Sequence, residues 1–300
     1  MRILHSIAEL ASLNQPVHWA MGFFDGVHQG HRRVIESAST PGALRGVLTF
    51  AEHPLALLCP RRQPRLITPL PEQKHALLAA LGVDVLLELP FTATLATMAP
   101  QEFLEELRQA CPMAGISVGQ NWRFGKGGQG DAAFVEQYAE RFGMRACVQE
   151  LALCAGERIC SSRIRELLEM GDLALAETML GHAFSLAGMV EHGQHLARQL
   201  GFPTANVPMH PQAVLPPFGV YEVRVDVGGC SLRGIANLGL RPTVQEALKV
   251  IRLETHLLDW QGDLYGSCLL VELRRFLRPE RKFASVAELR EQIAADVQML

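Results

Sequence analysis

The sequence predicts a two-domain α/β protein, in which a parallel sheet flanked by helices precedes a small antiparallel β-barrel with a terminal helix. Over the first 180 residues or so, buried apolar runs alternate with amphipathic segments, the order of a parallel sheet covered on both faces. After Gly181 the pattern changes to short β-like stretches separated by turn residues. A chain of 300 residues is long enough for two domains. We therefore expect domains at 1–181 and 182–300.

The first half contains apolar runs that predict buried strands and amphipathic segments that predict helices. Several of these helices begin with Pro or Asp, residue types that favour a helix start. The predicted strands are 17–21, 46–50, 83–89, 116–119 and 145–151, and the predicted helices are 31–38, 71–81, 100–110 and 131–142.

The second half predicts the strands of the barrel and one helix at the end of the chain. The predicted strands are 184–190, 220–227, 231–236, 250–258 and 269–275, and the predicted helix is 285–298.

Composition excludes several classes of protein. Hydrophobic residues make up 48% and charged residues 20% of the chain, so disorder is excluded. A net charge of −3 provides no broad basic field for nucleic acid or an anionic membrane. No apolar run approaches the roughly 20 residues of a spanning helix, and no signal peptide is evident. Seven cysteines without a C-x-x-C pair favour reduced thiols. We expect a cytoplasmic protein without nucleic-acid or membrane partners, and its oligomeric state stays open.

The stretch GFFDGVHQGH leaves the end of the first long predicted strand. The carboxyl ends of parallel strands are where such sheets bind ligands. A small-residue turn that leads into a helix presents free backbone N–H groups to an anion. His28 and His31, spaced i and i+3, share one face and can reach the same ligand. The stretch therefore predicts a phosphate site.

Two other interpretations of this stretch are weaker. A single histidine on a turn most often has only a structural role, with Asp25 capping the next helix. A metal site would need a third ligand at a suitable spacing, and the sequence indicates none. Imidazoles that donate hydrogen bonds to phosphate oxygens would stabilise the charge on a departing pyrophosphate, so we favour the phosphate interpretation.

The same residues carry a resemblance to a known superfamily. FDGVHQGH resembles the H-x-G-H signature of the nucleotidyltransferases, which have a Rossmann-like fold, transfer AMP from ATP and release pyrophosphate. Their second signature lies at a later helix start, and CSSRIRELL at 160–168 fits it. There Ser161 and Ser162 can cap the helix, and Arg165 offers a bidentate fork to phosphate.

A glycine-rich stretch between the two signatures allows another interpretation. Gly125, Gly127 and Gly130 spell G-x-G-x-x-G, with Glu150 twenty residues later, the spacing of a dinucleotide-binding fingerprint. In that fingerprint the first glycine comes directly at the strand end. Here the residues 120–124 intervene, which argues against it.

The second half resembles the riboflavin kinase family, motif after motif and in order. The motifs are ARQLGFPTANV (197–207), GIANLGLRPTV (234–244), LETHLLDWQGDLYG (253–266) and FLRPERKF (276–283). Together with the first half, the whole chain is similar to the bacterial bifunctional riboflavin kinase/FMN adenylyltransferases. The resemblance implies that riboflavin, FMN and ATP are its substrates.

The resemblance implies roles for residues of the kinase half. Thr204 and Asn206 match the family's Mg²⁺ pair, and hard oxygen ligands suit that ion. Glu254 matches the general base that takes the proton of the ribityl 5′-hydroxyl. Arg198 and the loop that ends at Gly201 would lie over the ATP phosphates, where positioning and charge neutralisation dominate the reaction.

In the adenylyltransferase half the resemblance implies no protein nucleophile. The FMN phosphate would attack the α-phosphorus of ATP, and the enzyme would align the reactants and stabilise pyrophosphate. We expect His28 and His31 to do this, with phosphate-binding support from Gly22, Asp25, Gly30, Ser161, Ser162 and Arg165. Asp25 would order the turn. Asn121, Arg123 and Phe124 match the family's flavin- or nucleotide-side segment.

Four residues depart from the family pattern. Phe23 stands where the family normally has asparagine, and a phenyl ring cannot hydrogen-bond a phosphate. Asn121 replaces an aspartate, and Cys160 replaces the first serine of the second signature. Ala197 replaces a glycine, at a cost on the order of 1 kcal/mol if that residue needs a positive φ.

These departures leave two alternatives beside the bifunctional enzyme. One is a diverged paralogue that binds flavin or nucleotide as a sensor or partner protein, with weak or lost adenylyltransferase activity. The other is an enzyme of the same chemistry that acts on a modified flavin.

Overall fold

The computed structural model describes residues 1–192, 201–242 and 249–300. The chain divides into two compact units, Met1–Arg163 and Ile164–Leu300. The first contains a parallel six-stranded sheet and the second an antiparallel six-stranded sheet that is rolled into a nearly closed barrel, which confirms the predicted fold class. The division falls earlier than the boundary predicted after residue 181, and that boundary stays a prediction.

The first unit follows the predicted alternation of strands and helices, with a small hairpin near its end. Its strands are β1 (Arg2–Leu4), β2 (Val17–Met21), β3 (Leu44–Phe50), β4 (Val85–Leu89), β5 (Met113–Gly119), β6 (Arg145–Gln149), β7 (Leu153–Cys154) and β8 (Glu157–Arg158). Its helices are α1 (Gln29–Ser37), α2 (Leu55–Leu58), α3 (Pro71–Ala80), α4 (Ala93–Thr97), α5 (Pro100–Ala110) and α6 (Ala132–Arg141).

The sheet order β1-β4-β3-β2-β5-β6 reverses direction around β2, the strand that precedes the histidines. Alternate residues of β2 face opposite sides of the sheet. Trp19 belongs to the same core cluster as Phe103 of α5 and Val135 of α6, whereas Ala20 belongs to a second cluster with Ile35 of α1 on the other face. Ligands of such sheets bind outside the carboxyl ends of the strands, where the strand order reverses. The end of β2 lies at this point.

The second unit contains the barrel and three helices, the first of which begins just before it. The helices are α7 (Ser161–Met170), α8 (Leu173–Leu180) and α9 (Val286–Gln298). The strands are β9 (Ser185–Met189), β10 (Ala205–Pro208), β11 (Gly219–Val227), β12 (Cys230–Pro242), β13 (Lys249–Leu257) and β14 (Cys268–Arg278).

The barrel strands run antiparallel in the order β10-β13-β12-β11-β14-β9. Glu191, just after β9, forms a bridge with Asn206 of β10, and its N–H donates to the Asn206 carbonyl oxygen at 2.8 Å. This contact brings the two ends of the sheet together. Arg278 on β14 is paired with buried Asp296 of α9 at 2.7 Å, which attaches the terminal helix.

Strand β10 is the barrel element that the sequence analysis missed. It has only four residues and ends in Pro208, which cannot donate a ladder hydrogen bond. Proline is tolerated on strands at the edge of a sheet, and β10 is such a strand. Short length and proline together remove the pattern by which a strand is recognised from sequence.

Candidate active sites

The turn that follows β2 has an unusual backbone. Phe24, Gly26 and Val27 have φ values of 56°, 78° and 40°. Glycine adopts positive φ easily, but a bulky or β-branched residue there is strained and persists only when its surroundings hold it. Asp25, which is 3% exposed, provides this support, since its Oδ1 accepts hydrogen bonds from the N–H groups of Ile67 at 2.9 Å and Thr68 at 3.0 Å. Asp25 therefore orders the turn.

His28 and His31 are brought together at the start of α1. His28 is the N-cap residue, and its Nδ1 accepts a hydrogen bond from the N–H of His31 at 3.2 Å. An imidazole whose Nδ1 accepts a hydrogen bond carries its proton on Nε2. The two rings stack with their centroids 3.5 Å apart and their planes 15° apart. The two imidazoles thus form one stacked pair that follows the strained turn.

His31 is held in its neutral form. Burial, followed by the proximity of His28 and Lys74, lowers the pKa of His31 well below its usual range. Within the described part of the chain, its Nδ1 is buried and has no hydrogen-bond partner. A buried polar atom without a partner carries a free-energy cost, so this nitrogen is suited to an incoming ligand.

The start of the second signature contacts the turn of the first through Ser161. Ser161 is the first residue of α7, and its hydroxyl donates to the carbonyl oxygen of Asp25 at 3.0 Å. This bond joins the two signatures, and capping of α7 by Ser161 and Ser162 stays a prediction. Ser162 follows in the first turn of α7, and Arg165 lies one turn along the same helix.

The two glycines expected at the nucleotide site lie where a side chain would crowd a neighbouring ring. A side chain at Gly22 would come within 2.9 Å of the Phe24 ring. A side chain at Gly30 would come within 3.2 Å of the His28 ring. Gly30 therefore leaves the space that the stacked imidazoles occupy.

Phe23, the main departure from the family pattern, contacts His53 and Lys74. Its ring meets the His53 ring edge-on at 4.6 Å, and the Nζ of Lys74 lies 4.7 Å from its centroid. Lys74 is 4% exposed, and its Nζ donates to the carbonyl oxygen of Phe50 at 3.2 Å. Burial lowers the pKa of Lys74, and neighbouring Glu88 opposes that shift. No local sequence pattern marks Lys74 as a buried cation, because its position beside Phe23 depends on packing between distant segments.

The predicted flavin-side segment follows β5, and its members differ in exposure. Asn121 and Arg123 are exposed, and the Arg123 guanidinium pairs with Asp131 at 2.7 Å. Phe124 is instead buried in the core, where its ring stacks on Trp122 with centroids 4.4 Å apart. Phe124 therefore has a packing role in this structure.

The glycines of the rejected dinucleotide fingerprint belong to a turn between β5 and α6. Gly125 and Gly127 have φ values of 70° and 61°. A side chain at Gly130 would come within 2.3 Å of the Phe124 ring. Turn geometry and packing thus account for these residues.

In the barrel, the predicted kinase residues meet across two neighbouring strands. Asn206 of β10 lies directly opposite Glu254 of β13, and opposed residues share one face of a sheet. Thr204 precedes β10 by one residue. His256 lies on the same face of β13 as Glu254. Its Nδ1 donates to the Pro203 carbonyl oxygen at 2.9 Å, and this bond ties the segment before β10 to β13. The sequence analysis did not single out His256.

A cavity of about 420 Å³ borders this site. Thr204 and Asn206 line it on one side, and Thr255, Trp260 and Tyr265 line it elsewhere. Successive residues of a strand point to opposite faces of the sheet. The Thr255 side chain therefore points to the face of β13 opposite to that of Glu254. Within the described residues, Thr255 Oγ1 and Trp260 Nε1 are buried without hydrogen-bond partners. The cavity thus offers unsatisfied polar atoms to a ligand.

The residues at the β10 edge fit the Mg²⁺ ion that the resemblance implies. The Asn206 Nδ2 donates to the Thr204 carbonyl oxygen at 3.3 Å, so the Asn206 Oδ1 is left as an oxygen ligand. With the Thr204 hydroxyl it forms a pair of hard oxygen donors. Mg²⁺ commonly takes few protein ligands and completes its shell with phosphates and water.

Arg198 and Gly201 are the residues predicted to lie over the ATP phosphates. Arg198, like Ala197, lies outside the described residues. Gly201 is described and exposed, with a φ of 90° that favours glycine.

Helices that could span a membrane are absent from the described ranges 1–192, 201–242 and 249–300.

Taken together, these features define a two-domain phosphate-transferring enzyme. One candidate site lies on a His-x-Gly-His turn where the strand order of a parallel sheet reverses, and the other candidate site lies on a barrel where a glutamate stands opposite the asparagine of a Thr/Asn pair. Comparison with known families agrees. The FAD synthetase family model matches residues 11–163, and the riboflavin kinase family model matches residues 180–300.

Curated relatives extend over nearly the whole chain. The bifunctional riboflavin kinase/FMN adenylyltransferase of Escherichia coli K12 is 38% identical, over 99% of this chain and 96% of its own length. Its counterpart in Bacillus subtilis is 35% identical, over 93% of this chain and 90% of its own length. The chain belongs to the bifunctional riboflavin kinase/FMN adenylyltransferase family.

A solved structure also resembles the chain from end to end. It is described as a macrolide-efflux protein from Streptococcus pneumoniae, with a TM-score of 0.84 and 26% identity. The match covers 100% of this chain and 98% of that one. The likeness supports the fold of the chain.

Proposed function

We propose that the barrel domain phosphorylates riboflavin to FMN with ATP, and that the N-terminal domain transfers AMP from a second ATP to FMN to give FAD. The observation that carries this proposal is that each family model matches its own part of the chain. The domain boundary after residue 181 is part of the proposal.

For the kinase reaction we assign Glu254 as the general base. Its carboxylate takes the proton from the ribityl 5′-hydroxyl, the freed oxygen bonds to the γ-phosphorus, and the bond to the β,γ-bridging oxygen breaks to release ADP. The register of Glu254 with Asn206 supports this assignment, since it puts the base beside the residue proposed to face the phosphates.

ATP is assigned to the cavity that borders the β10 edge. Thr204 and Asn206 line this cavity, and Asn206 also stands beside Glu254. A triphosphate that extends from the cavity past these two residues would bring its terminal phosphate to the base. Thr204 and Asn206 would hold Mg²⁺, which when bound neutralises the phosphate charge that develops during transfer. Arg198 and Gly201 are proposed to lie over the phosphates.

For adenylyl transfer we assign alignment and charge stabilisation to the His28–His31 pair. An oxygen of the FMN phosphate bonds to the α-phosphorus of ATP, and the bond to the α,β-bridging oxygen breaks to release pyrophosphate. The Nε2–H of His28 is suited to donate to a phosphate oxygen as charge grows there. Gly22, Asp25 and Gly30 maintain the geometry of the turn through the contacts described above.

The remaining proposed contacts come from the second signature and from the segment after β5. Ser161, Ser162 and Arg165 are assigned to the phosphates, and the bond between Ser161 and Asp25 supports a shared site. Asn121 and Arg123 are assigned to the flavin side, and their exposure is compatible with ligand contact. Phe124 belongs to the same segment, where its buried ring supports the position of its neighbours.

The test incubates the purified protein with riboflavin, ATP and Mg²⁺ and separates the flavins by chromatography. We expect FMN first and FAD later, and no product when EDTA removes the metal. Direct supply of FMN tests adenylyl transfer separately. Absence of both products across a range of conditions, with tight flavin binding by calorimetry, would favour the diverged paralogue.

A further inference from the structure

Three side chains stand in a row across three adjoining barrel strands. Asn206 of β10 lies opposite Glu254 of β13, and Glu254 lies opposite Asn237 of β12. Directly opposed residues share a face, with Cβ atoms about 4.5–5.5 Å apart. Glu254 is therefore flanked on one side by Asn206 and on the other by Asn237.

Asn237 is held in one orientation by a carboxylate from another part of the chain. Its Nδ2 donates to Glu280 Oε1 at 3.0 Å, and Glu280 follows strand β14. An ionised carboxylate only accepts hydrogen bonds, so the amide nitrogen must face Glu280. The Oδ1 of Asn237 is then the atom left to accept a hydrogen bond from another group.

A glycine makes room for this carboxylate. Gly239 lies two residues along β12 from Asn237, on the same face of the strand. A Cβ at this position would come within 2.0 Å of Glu280 Oε1 and 2.5 Å of its carboxyl carbon. Any other residue at 239 would displace Glu280 and release Asn237. The motifs NLGLRP and LRPER thus contact each other beside Glu254, through Asn237 and Gly239 of the first and Glu280 of the second.

We propose that Asn237 is a specificity residue of the kinase site, whose Oδ1 accepts a hydrogen bond from a ribityl hydroxyl of riboflavin, and that Glu280 is its positioning residue. This inference rests on the proposed function of Glu254 and Asn206. In the proposed reaction the ATP phosphates lie on the Asn206 side of Glu254, and Glu254 takes the proton of the 5′-hydroxyl. The remainder of the ribityl chain must then lie on the other side of Glu254. Asn237 stands there, and the neighbouring hydroxyls of a ribityl chain are hydrogen-bond donors.

The test compares riboflavin with lumiflavin, which carries a methyl group in place of the ribityl chain and serves as a competitive inhibitor. In full-length Asn237→Ala we expect the riboflavin KM to rise roughly tenfold, the effect of one lost hydrogen bond. The KM for ATP and the lumiflavin inhibition constant should stay within about twofold, because neither ligand contacts Asn237 through a ribityl group. Ser231→Ala, an exposed change on the same strand, is the matched control.

The role of Glu280 is tested by a conservative rescue. Glu280→Ala should raise the riboflavin KM as Asn237→Ala does, whereas Glu280→Gln retains an acceptor for Nδ2 and should stay near the wild-type value. An unchanged riboflavin KM in Asn237→Ala, or an equal loss of lumiflavin binding, would overturn the proposal. A wild-type protein that makes no FMN would instead overturn the proposed function, so the two failures are distinguishable.

Discussion

At the scale of single residues, Phe23 and His28 each have a local structural role beside the proposed transfer site. The Phe23 ring lies against His53 and near the Lys74 ammonium, so the residue that replaces a polar group is accommodated by a buried cation. His28 caps α1 through its Nδ1, which accepts the N–H of His31. Substitutions can separate these structural roles from the chemistry.

Phe23→Asn is expected to accelerate adenylyl transfer. Loss of one preorganised donor in a transfer site typically costs ~10²–10³ in rate, so restoring a donor should raise the rate of FAD formation from FMN by at least about tenfold. The measurement is steady-state FAD formation, with riboflavin phosphorylation as the internal control. A folded variant without any gain would show that Phe23 does not limit the reaction.

His28→Asn and His28→Ala are expected to differ in stability and to agree in activity. Asparagine is among the best N-cap residues, whereas alanine loses the cap and about 1 kcal/mol. Both changes remove the imidazole donor and should lower FAD formation by ~10²-fold or more. Denaturant unfolding and the FMN assay measure the two effects. Full activity in the asparagine variant would restrict His28 to capping.

At the scale of elements, strand β2 buries a third histidine, His18, in the sheet that leads to the proposed site. His18 is fully buried, and its ring nitrogens lie 2.9 Å from Thr40 Oγ1 and 3.0 Å from Ser117 Oγ. Burial, assisted by nearby Arg145, lowers the pKa of His18 to about 4. The folded sheet therefore favours the neutral ring, while the unfolded chain protonates His18 near its ordinary pKa.

This difference predicts that the N-terminal domain loses stability as the pH falls. The unfolded chain binds more protons between about pH 6.5 and pH 4, so His18 should cost about 2 kcal/mol of unfolding free energy on going from pH 7.5 to pH 5. His18→Gln removes this titration. Unfolding of this domain at the two pH values should show a smaller loss in the variant, and an equal loss would contradict the assignment.

At the scale of the whole molecule, the two proposed sites belong to separate family matches, at 11–163 and 180–300. The residues proposed for each site come from separate parts of the chain, apart from those on helix α7, which begins in one compact unit and continues into the other. Chemistry at one site should therefore be removable without loss of the other.

Glu254→Gln and His31→Ala are expected to have opposite effects. Glu254→Gln keeps the size of the side chain but removes the base, so FMN formation should fall by ~10²-fold or more while FAD formation from FMN stays near the wild-type rate. His31→Ala should reduce FAD formation and spare FMN formation. Both activities falling together in both folded variants would contradict separate sites.

Much of the fold could be predicted from sequence because its patterns are local. The apolar run 17–21 is strand β2 residue for residue, and Pro100 begins α5 as expected of proline at a helix start. Strand β10 escaped prediction because four residues ending in proline carry no periodicity. The spacing of His28 and His31 likewise indicated a shared face, and their rings do stack.

The sequence by itself determined the two-domain architecture, the family and the candidate residues, because strand period, helix period and ordered motifs are written along the chain. Only the tertiary structure decided which distant residues meet: Ser161 with Asp25, Lys74 with Phe23, and Asn237 with both Glu254 and Glu280. It also assigned Phe124 to the core. Strand register and packing between distant segments fix these contacts, and neither has a signature in the local order of amino acids.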